Sequence, residues 1–293
     1  FTLTAGYFMM AHYRKLKNNA EFVNRTATSR AWEYTWARIK SLIPVLILGY
    51  LIGVVVSTAF YYPEYGFQDY CVMLVNSIWE FLGFHAAGLR NTNNNFFNTN
   101  GVLWFISAMI ICSYFLYWGL CKNEDLTAGV IAPFGFIFFG GWWSFTGTRA
   151  AQTAWSTFGL QTTSTNGMGG SATDATATLG FNNGLIFVLI GMFGGIILYQ
   201  LVDLAKKQEV TKNMKCFLTV LNVICSVLLA WYVIYQPTYF MLQRWTVAFL
   251  QLVVVGLSLY NVDGLTTFLN NPATSKLFAA LGSISLYIYM LHY

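Results

Sequence analysis

The sequence predicts an all-α fold, a polytopic transmembrane helix bundle. Three observations carry that prediction. Of the 293 residues, 56% are apolar and only 9% are charged, whereas an ordinary soluble domain carries about 25% charged residues. Mean hydropathy is +0.53. Aromatic residues reach 18%, with 10 Trp and 18 Tyr, which suits a chain that meets two membrane–water interfaces repeatedly. These values exclude a disordered protein, a nucleic-acid-binding module and a conventional soluble enzyme.

A bilayer core takes about 20 mostly apolar residues per helix. Residues 1–12 read as the inner end of a helix. Further segments follow at 41–60, 101–121, 127–143, 183–204, 216–235, 238–260 and 276–293, giving about eight. The stretch 71–86, CVMLVNSIWEFLGFHA, is short and amphipathic, so it reads as interfacial or re-entrant. Pro44 falls near the start of the 41–60 segment, where a missing N–H costs little. RNTNNNFFNTNG at 90–101 is Asn-rich turn material. The Thr/Ser/Gly-rich stretch 144–182 reads as a loop. No repeat and no second soluble domain is visible, so residues 1–293 form a single domain.

Charge placement sets the orientation. Of the 16 basic residues, 11 lie in 13–40 and 205–215, while 61–100 and 144–182 hold one each, Arg90 and Arg149. Short loops rich in Lys and Arg face the cytoplasm. Threading eight segments with 13–40 inside also places 205–215 inside and both basic-poor connections outside. The chain therefore reads as an integral protein of the plasma (cytoplasmic) membrane, with the bilayer as its first partner. The first residues lack the basic stretch and cleavage site of a signal peptide. Phe1 is not an initiator Met, and the chain stops at Tyr293 inside an apolar run, which reads as a piece of a longer protein. The five cysteines show no CxxC spacing and read as small apolar fillers.

Several polar residues could carry chemistry, each with a plainer structural reading beside the functional one. Arg30, Arg38 and Lys40 sit in the basic segment, which serves topology and anionic lipid or else binds a phosphorylated cytosolic ligand. His12 adjoins them as interfacial filler or as a further contact to such a ligand. Arg244, seven residues into its segment, snorkels outward or faces a cavity. Glu80 and Arg90 flank the outer entrance as solvated surface or as contacts to a polar ligand. Trp104 is an interface anchor or lines a site. His292 is structural or lines a cavity, and Tyr287 and Tyr289 read as packing. His85 and Glu80 are five apart and do not share a helix face. Asp203 reads as a partner of Lys206 or Lys207. No metal set emerges.

A resemblance now enters. FTLTAGYFMMAHYRKL (1–16), with Ala5-Gly6-Tyr7, and WARIKSLIP (36–44) resemble two successive motifs of the acyltransferase-3 family of integral membrane acyltransferases. Ala5 stands where that family has Ser, and Ser41 stands where a second Arg is common. NGVLWFISAMII (100–111), NGLIFVLIGMFGGIILYQL (183–201) and LGSISLYIYMLHY (281–293) are similar to its later motifs, in order and at family spacing. The resemblance implies about ten helices, hence one missing before Phe1 and one after Tyr293. It also implies a catalytic His on that missing first helix, with His292 at the position of the family's terminal-helix His.

The function it implies is an O-acyltransferase. An acyl group, acetyl most often, would pass from cytosolic acyl-CoA to a hydroxyl of an extracytoplasmic glycan or related acceptor. Acyl-CoA enters as donor substrate, with no bound cofactor. Arg38, Lys40, Arg30 and His12 would meet the donor, and Trp104, Arg244, Glu80 and Arg90 the acceptor. An alternative is a transport or binding module, similar to the membrane domains fused to serine racemases of vancomycin resistance.

Overall fold

The computed structural model describes residues 2–56, 66–68, 71, 103–146, 183–235 and 241–291. Every regular element among them is helical: α1 Thr2–Leu16, α2 Ala20–Val23, α3 Ala27–Val56, α4 Leu103–Lys122 and α5 Glu124–Leu126. A π-helical turn, Thr127–Ile131, leads into α6 Ala132–Thr146. Then come α7 Asn183–Ala205, α8 Lys212–Tyr235, α9 Met241–Tyr260, α10 Gly264–Leu269 and α11 Pro272–Leu291. The all-helical expectation holds, and the described part of each of the eight expected segments falls on a helix. The stretch 71–86 lies outside the described residues apart from Cys71. Two described stretches, Leu185–Ala205 and Lys212–Tyr232, are long and apolar enough by themselves to cross a membrane; Ala108–Lys122 and Thr246–Tyr260 are shorter apolar helices.

Local chemistry sets where these helices begin. An N-cap side chain accepts a hydrogen bond from one of the unpaired amides of the first turn. Thr26 Oγ1 accepts from Ser29 N at 3.2 Å, Thr211 Oγ1 from Met214 N at 3.3 Å, and Asn123 Oδ1 from Leu126 N at 3.0 Å. The Thr26 cap overturns one expectation. Because α3 starts at Ala27, Pro44 sits inside it and not near its start. The missing N–H leaves the Lys40 carbonyl without its helical donor. The basic stretch 13–40 is accordingly mostly helix, and Arg30, Arg38 and Lys40 hold fixed positions on α3.

The chain forms two compact units. The first comprises Phe1–Asn18, Asn123–Thr148 and Ile190–Ser283; the second comprises Asn19–Lys122, Arg149–Leu189 and Ile284–Tyr293. In the first, α1 and α7 cross almost backbone to backbone. A Cβ on Gly6 would overlap the Met192 carbonyl, and one on Gly195 would overlap the Leu3 carbonyl. Small residues permit this approach, which is the usual basis of helix association in lipid. The crossing closes a core of Tyr7, Leu198, Val202 and Tyr260, with Leu3, Leu218 and Leu252 packed on it. On α8 a different face stays exposed, with Phe217, Val220, Ile224, Val227 and Trp231 following a helical stripe, the pattern of a lipid-facing surface.

Polar bonds fasten one end of this unit. The Tyr260 hydroxyl donates to the Ala205 carbonyl at 2.9 Å, satisfying an otherwise orphaned acceptor at the end of α7. Asn261 turns the chain with φ 57°, a conformation Asn tolerates. Asp263 then caps α10. Its carboxylate, with no exposed surface, accepts from Thr266 N at 2.9 Å, Thr266 Oγ1 at 2.6 Å and Asn222 Nδ2 of α8 at 3.1 Å. Burial pushes its pKa up, but these donors together outweigh burial and hold it below the ordinary carboxylate value.

Two outcomes test this account. Gly195→Ala should destabilise the protein by about 3 kcal/mol, because only backbone could move aside, whereas Gly141→Ala, inside α6 with open space around it, should hold or slightly raise the thermal midpoint in detergent. Asp263 binds its proton more weakly when folded, so its stabilisation is complete above the unfolded pKa of about 3.9 and is lost as pH falls below it. A melting series from pH 7 to pH 3 should therefore show a drop at the acid end that Asp263→Asn flattens.

Candidate functional site

The cationic residues proposed to meet a donor divide between the two units. In the second, α3 and α4 run antiparallel in tight register. The rings of Tyr34 and Tyr117 stack at 4.2 Å with planes 3° apart, and Arg30 Nη2 donates to the Cys121 carbonyl at 3.1 Å. Arg30, Tyr34 and Arg38 recur every four residues and form one stripe. The Arg38 guanidinium lies 4.9 Å from the Tyr34 ring centroid, and the Arg30 guanidinium lies 4.9 Å from that of Phe22. Arg30 keeps a buried Nε–H that is bonded to nothing among the described residues. Burial raises the Tyr34 hydroxyl above its ordinary pKa, with Arg38 pulling the other way. Tyr34 therefore stays a neutral hydroxyl at physiological pH.

Lys40 is not part of that stripe. Two residues on from Arg38 it lies about 200° around the helix, with its ammonium 5.6 Å from the Trp36 ring centroid. Sequence proximity grouped Arg38 with Lys40, and the helix that begins at Ala27 separates them. Thr35 and Ser113 are buried hydroxyls with no hydrogen-bond partner among the described residues. Ser41 is exposed, and its hydroxyl bonds the Arg38 carbonyl at 2.8 Å, so its side chain is turned back onto its own helix.

In the first unit, His12 is exposed on α1. Nearby on the same helix, Arg14 Nε lies 2.5 Å from Glu124 Oε1, an ion pair without an aligned hydrogen bond. Lys17 donates to Glu124 Oε2 at 3.2 Å. Glu124 was not a sequence candidate. Its only signal was two adjacent acids in the short connection between apolar runs. Asp203 pairs with Lys207 at 3.2 Å, as expected. Trp104 lies on α4 and Arg244 on α9. Glu80, Arg90 and His292 lie outside the described residues. Among the described residues no group of three or more His, Cys, Asp or Glu side chains could hold a metal ion. The cysteines are free; Cys112 and Cys225 are buried as fillers, while Cys71 and Cys216 are exposed.

The motifs also pair within units. Ala5-Gly6-Tyr7 packs on the middle helix, with the Tyr7 and Tyr199 rings 5.3 Å apart. The WARIKSLIP helix packs on the helix carrying LWFISAM. Apolar helices with a close glycine crossing are the packing expected of an integral membrane helix bundle. The acyltransferase-3 family model, described as an acyltransferase domain, matches residues 1–293. The chain belongs to that family and is a membrane acyltransferase. No curated protein and no solved structure matches it.

A double-mutant cycle checks the ion pair. Arg14→Ala and Glu124→Ala should show a coupling of about 1 kcal/mol, reduced by salt because Arg14 is a third exposed.

Proposed function

We propose that this acyltransferase moves an acetyl group from cytosolic acetyl-CoA to a hydroxyl of an extracytoplasmic glycan or a related acceptor at the plasma membrane. The observation that carries the donor side is the Arg30–Tyr34–Arg38 stripe. It offers two guanidinium forks, one with an unbonded Nε–H, and guanidinium geometry suits phosphate oxygens. Arg30 and Arg38 are the donor-binding residues in this reading. Lys40 stands on another face of α3, and His12 belongs to the first unit.

Orientation follows the same logic. At one end of the first unit, the ends of α1, α7 and α9 meet the starts of α5, α8 and α10. That end carries Lys15, Lys17, Lys206, Lys207, Lys212 and Lys215, which supports a cytoplasmic assignment for 13–40 and 205–215. Residues 61–100 and 144–182 then face outward, and the second unit's Trp104, Glu80 and Arg90 are the acceptor-side candidates in this reading.

The chemistry needs a base for the acceptor hydroxyl. The hydroxyl oxygen adds to the thioester carbonyl as the base takes its proton, and the CoA thiolate leaves and is reprotonated. The products are an ester and free CoA thiol. A His titrates in the right range for this role, and His292 is the candidate in this chain. Low-dielectric surroundings would keep water from the thioester.

The test is acetyl-CoA kinetics in reconstituted vesicles with the full-length protein. Arg38→Ala should raise KM for acetyl-CoA about tenfold or more, the scale of losing a charge-assisted hydrogen bond. Arg38→Lys should recover part of that loss. Unchanged KM and kcat in Arg38→Ala would remove Arg38 from the donor site. Labelled serine accumulating without label transfer to a glycan would instead support the transport reading.

A further inference from the structure

The outer face of α3 and α4 is built differently from the inner one. Trp32 and Trp36 stack at 6.0 Å and are both exposed. Trp32 meets Tyr114 edge-on at 6.5 Å, so the face continues onto α4, where Trp118 is exposed one turn further along. Each helix then lays a cation over its own tryptophan. The Lys40 ammonium is 5.6 Å from the Trp36 ring centroid, and the Lys122 ammonium is 5.9 Å from that of Trp118. The register set by Tyr34 on Tyr117 places Trp36 and Trp118 within three residues in height, about 4.5 Å. Both lysines reach back toward their helix N-termini, as helical side chains do, so both ammonium groups hover near that common height.

Neither ammonium is ion-paired among the described residues, and a ring face leaves its other N–H donors open. Of the acids nearest these lysines in sequence, Glu33 is held by Arg25 at 2.6 Å and Glu124 by Lys17 at 3.2 Å, while Asp125 makes no ion pair among the described residues. Above Lys40 the same stripe of α3 turns purely aliphatic, with Ile43, Ile47, Leu51 and Val55 exposed. From Lys40 to Val55 it rises about 22 Å, longer than one half of a bilayer core of about 30 Å. The sequence along this face is aromatic, cationic and then aliphatic, which is the complement of a lipid that carries a negative headgroup above apolar tails. Free phosphate has no use for the aliphatic track.

From this we infer that the α3–α4 face seats an anionic diacyl phospholipid. Its phosphate sits on the Lys40 and Lys122 ammonium groups, its headgroup rests on Trp36 and Trp118, and one tail follows Ile43, Ile47 and Leu51. The bound lipid fixes the depth of the α3–α4 pair in the leaflet that meets its basic end. The inference depends on these side chains alone and stands apart from the acyl-transfer reading.

The test reconstitutes the full-length protein in vesicles of phosphatidylcholine with brominated phosphatidylglycerol or brominated phosphatidylcholine, and reads tryptophan quenching as relative lipid association. The wild type should prefer phosphatidylglycerol at least about fivefold, the scale of one ammonium near an anionic surface. The Lys40→Gln/Lys122→Gln pair should bring the ratio close to unity, while Lys40→Arg/Lys122→Arg and a distant pair, Lys212→Gln/Lys215→Gln, should retain it. An unchanged ratio in the first pair overturns the inference. So does an equal fall in the distant pair, which would mean general surface electrostatics. Loss of the wild-type preference on replacing chloride by inorganic phosphate at equal ionic strength would mark a free-anion site and overturn the lipid assignment.

Discussion

Gly6 and Gly195 let α1 and α7 meet with main-chain atoms in contact, and the rest of the first unit is arranged around that meeting. Lipid tails are as apolar as leucine, so burial of apolar surface gives helices little reason to associate inside a bilayer. Close packing and polar contacts must supply the difference, and a glycine crossing maximises the first. With the backbones this near, Tyr7 reaches Tyr199 and joins Leu198, Val202 and Tyr260 in one core. The crossing also fixes where α1 ends, which brings Arg14 and Lys17 to Glu124. A larger side chain at either glycine would undo several of these contacts together.

The second unit solves another problem, that of carrying cations beside a membrane. On α3 the cations are divided between two faces. Arg30 and Arg38 share the face that packs on α4, where aromatic rings and a carbonyl meet the guanidinium groups. Lys40 occupies the exposed face, over an indole. Arg tolerates partial desolvation because its charge is spread and weakly hydrated; an ammonium is compact and strongly hydrated, so it keeps to the outer surface. The division follows from the side-chain chemistry once the helix has been extended back to Ala27.

Much of the fold was legible in the residues. The segments could be placed because a bilayer demands long apolar runs and the basic residues interrupt them in only two main stretches. Asp203 with Lys207 was legible because the i,i+4 relation is local. Pro44 was misplaced because the apolar run starts well after the helix does. The Thr26 cap sets the true start, and a polar helical turn carries no hydropathy signal. Glu124 was missed for a related reason: its partners lie more than a hundred residues away in sequence, and no local pattern announces such a pairing.

The sequence by itself determined an all-helical membrane protein, the approximate extent of its segments, the stretches that carry its charge, and motifs similar to one acyltransferase family. These properties are local, set by side-chain hydropathy and by spacing along a single helix. Only the tertiary structure decided which motifs pack together, which cations of α3 share the face that meets α4, and that Glu124 and Asp263 hold distant helices at one end of their unit. Each of these depends on helix phase and on register between helices. A rotation of about 100° per residue converts a small difference in position into a different neighbour.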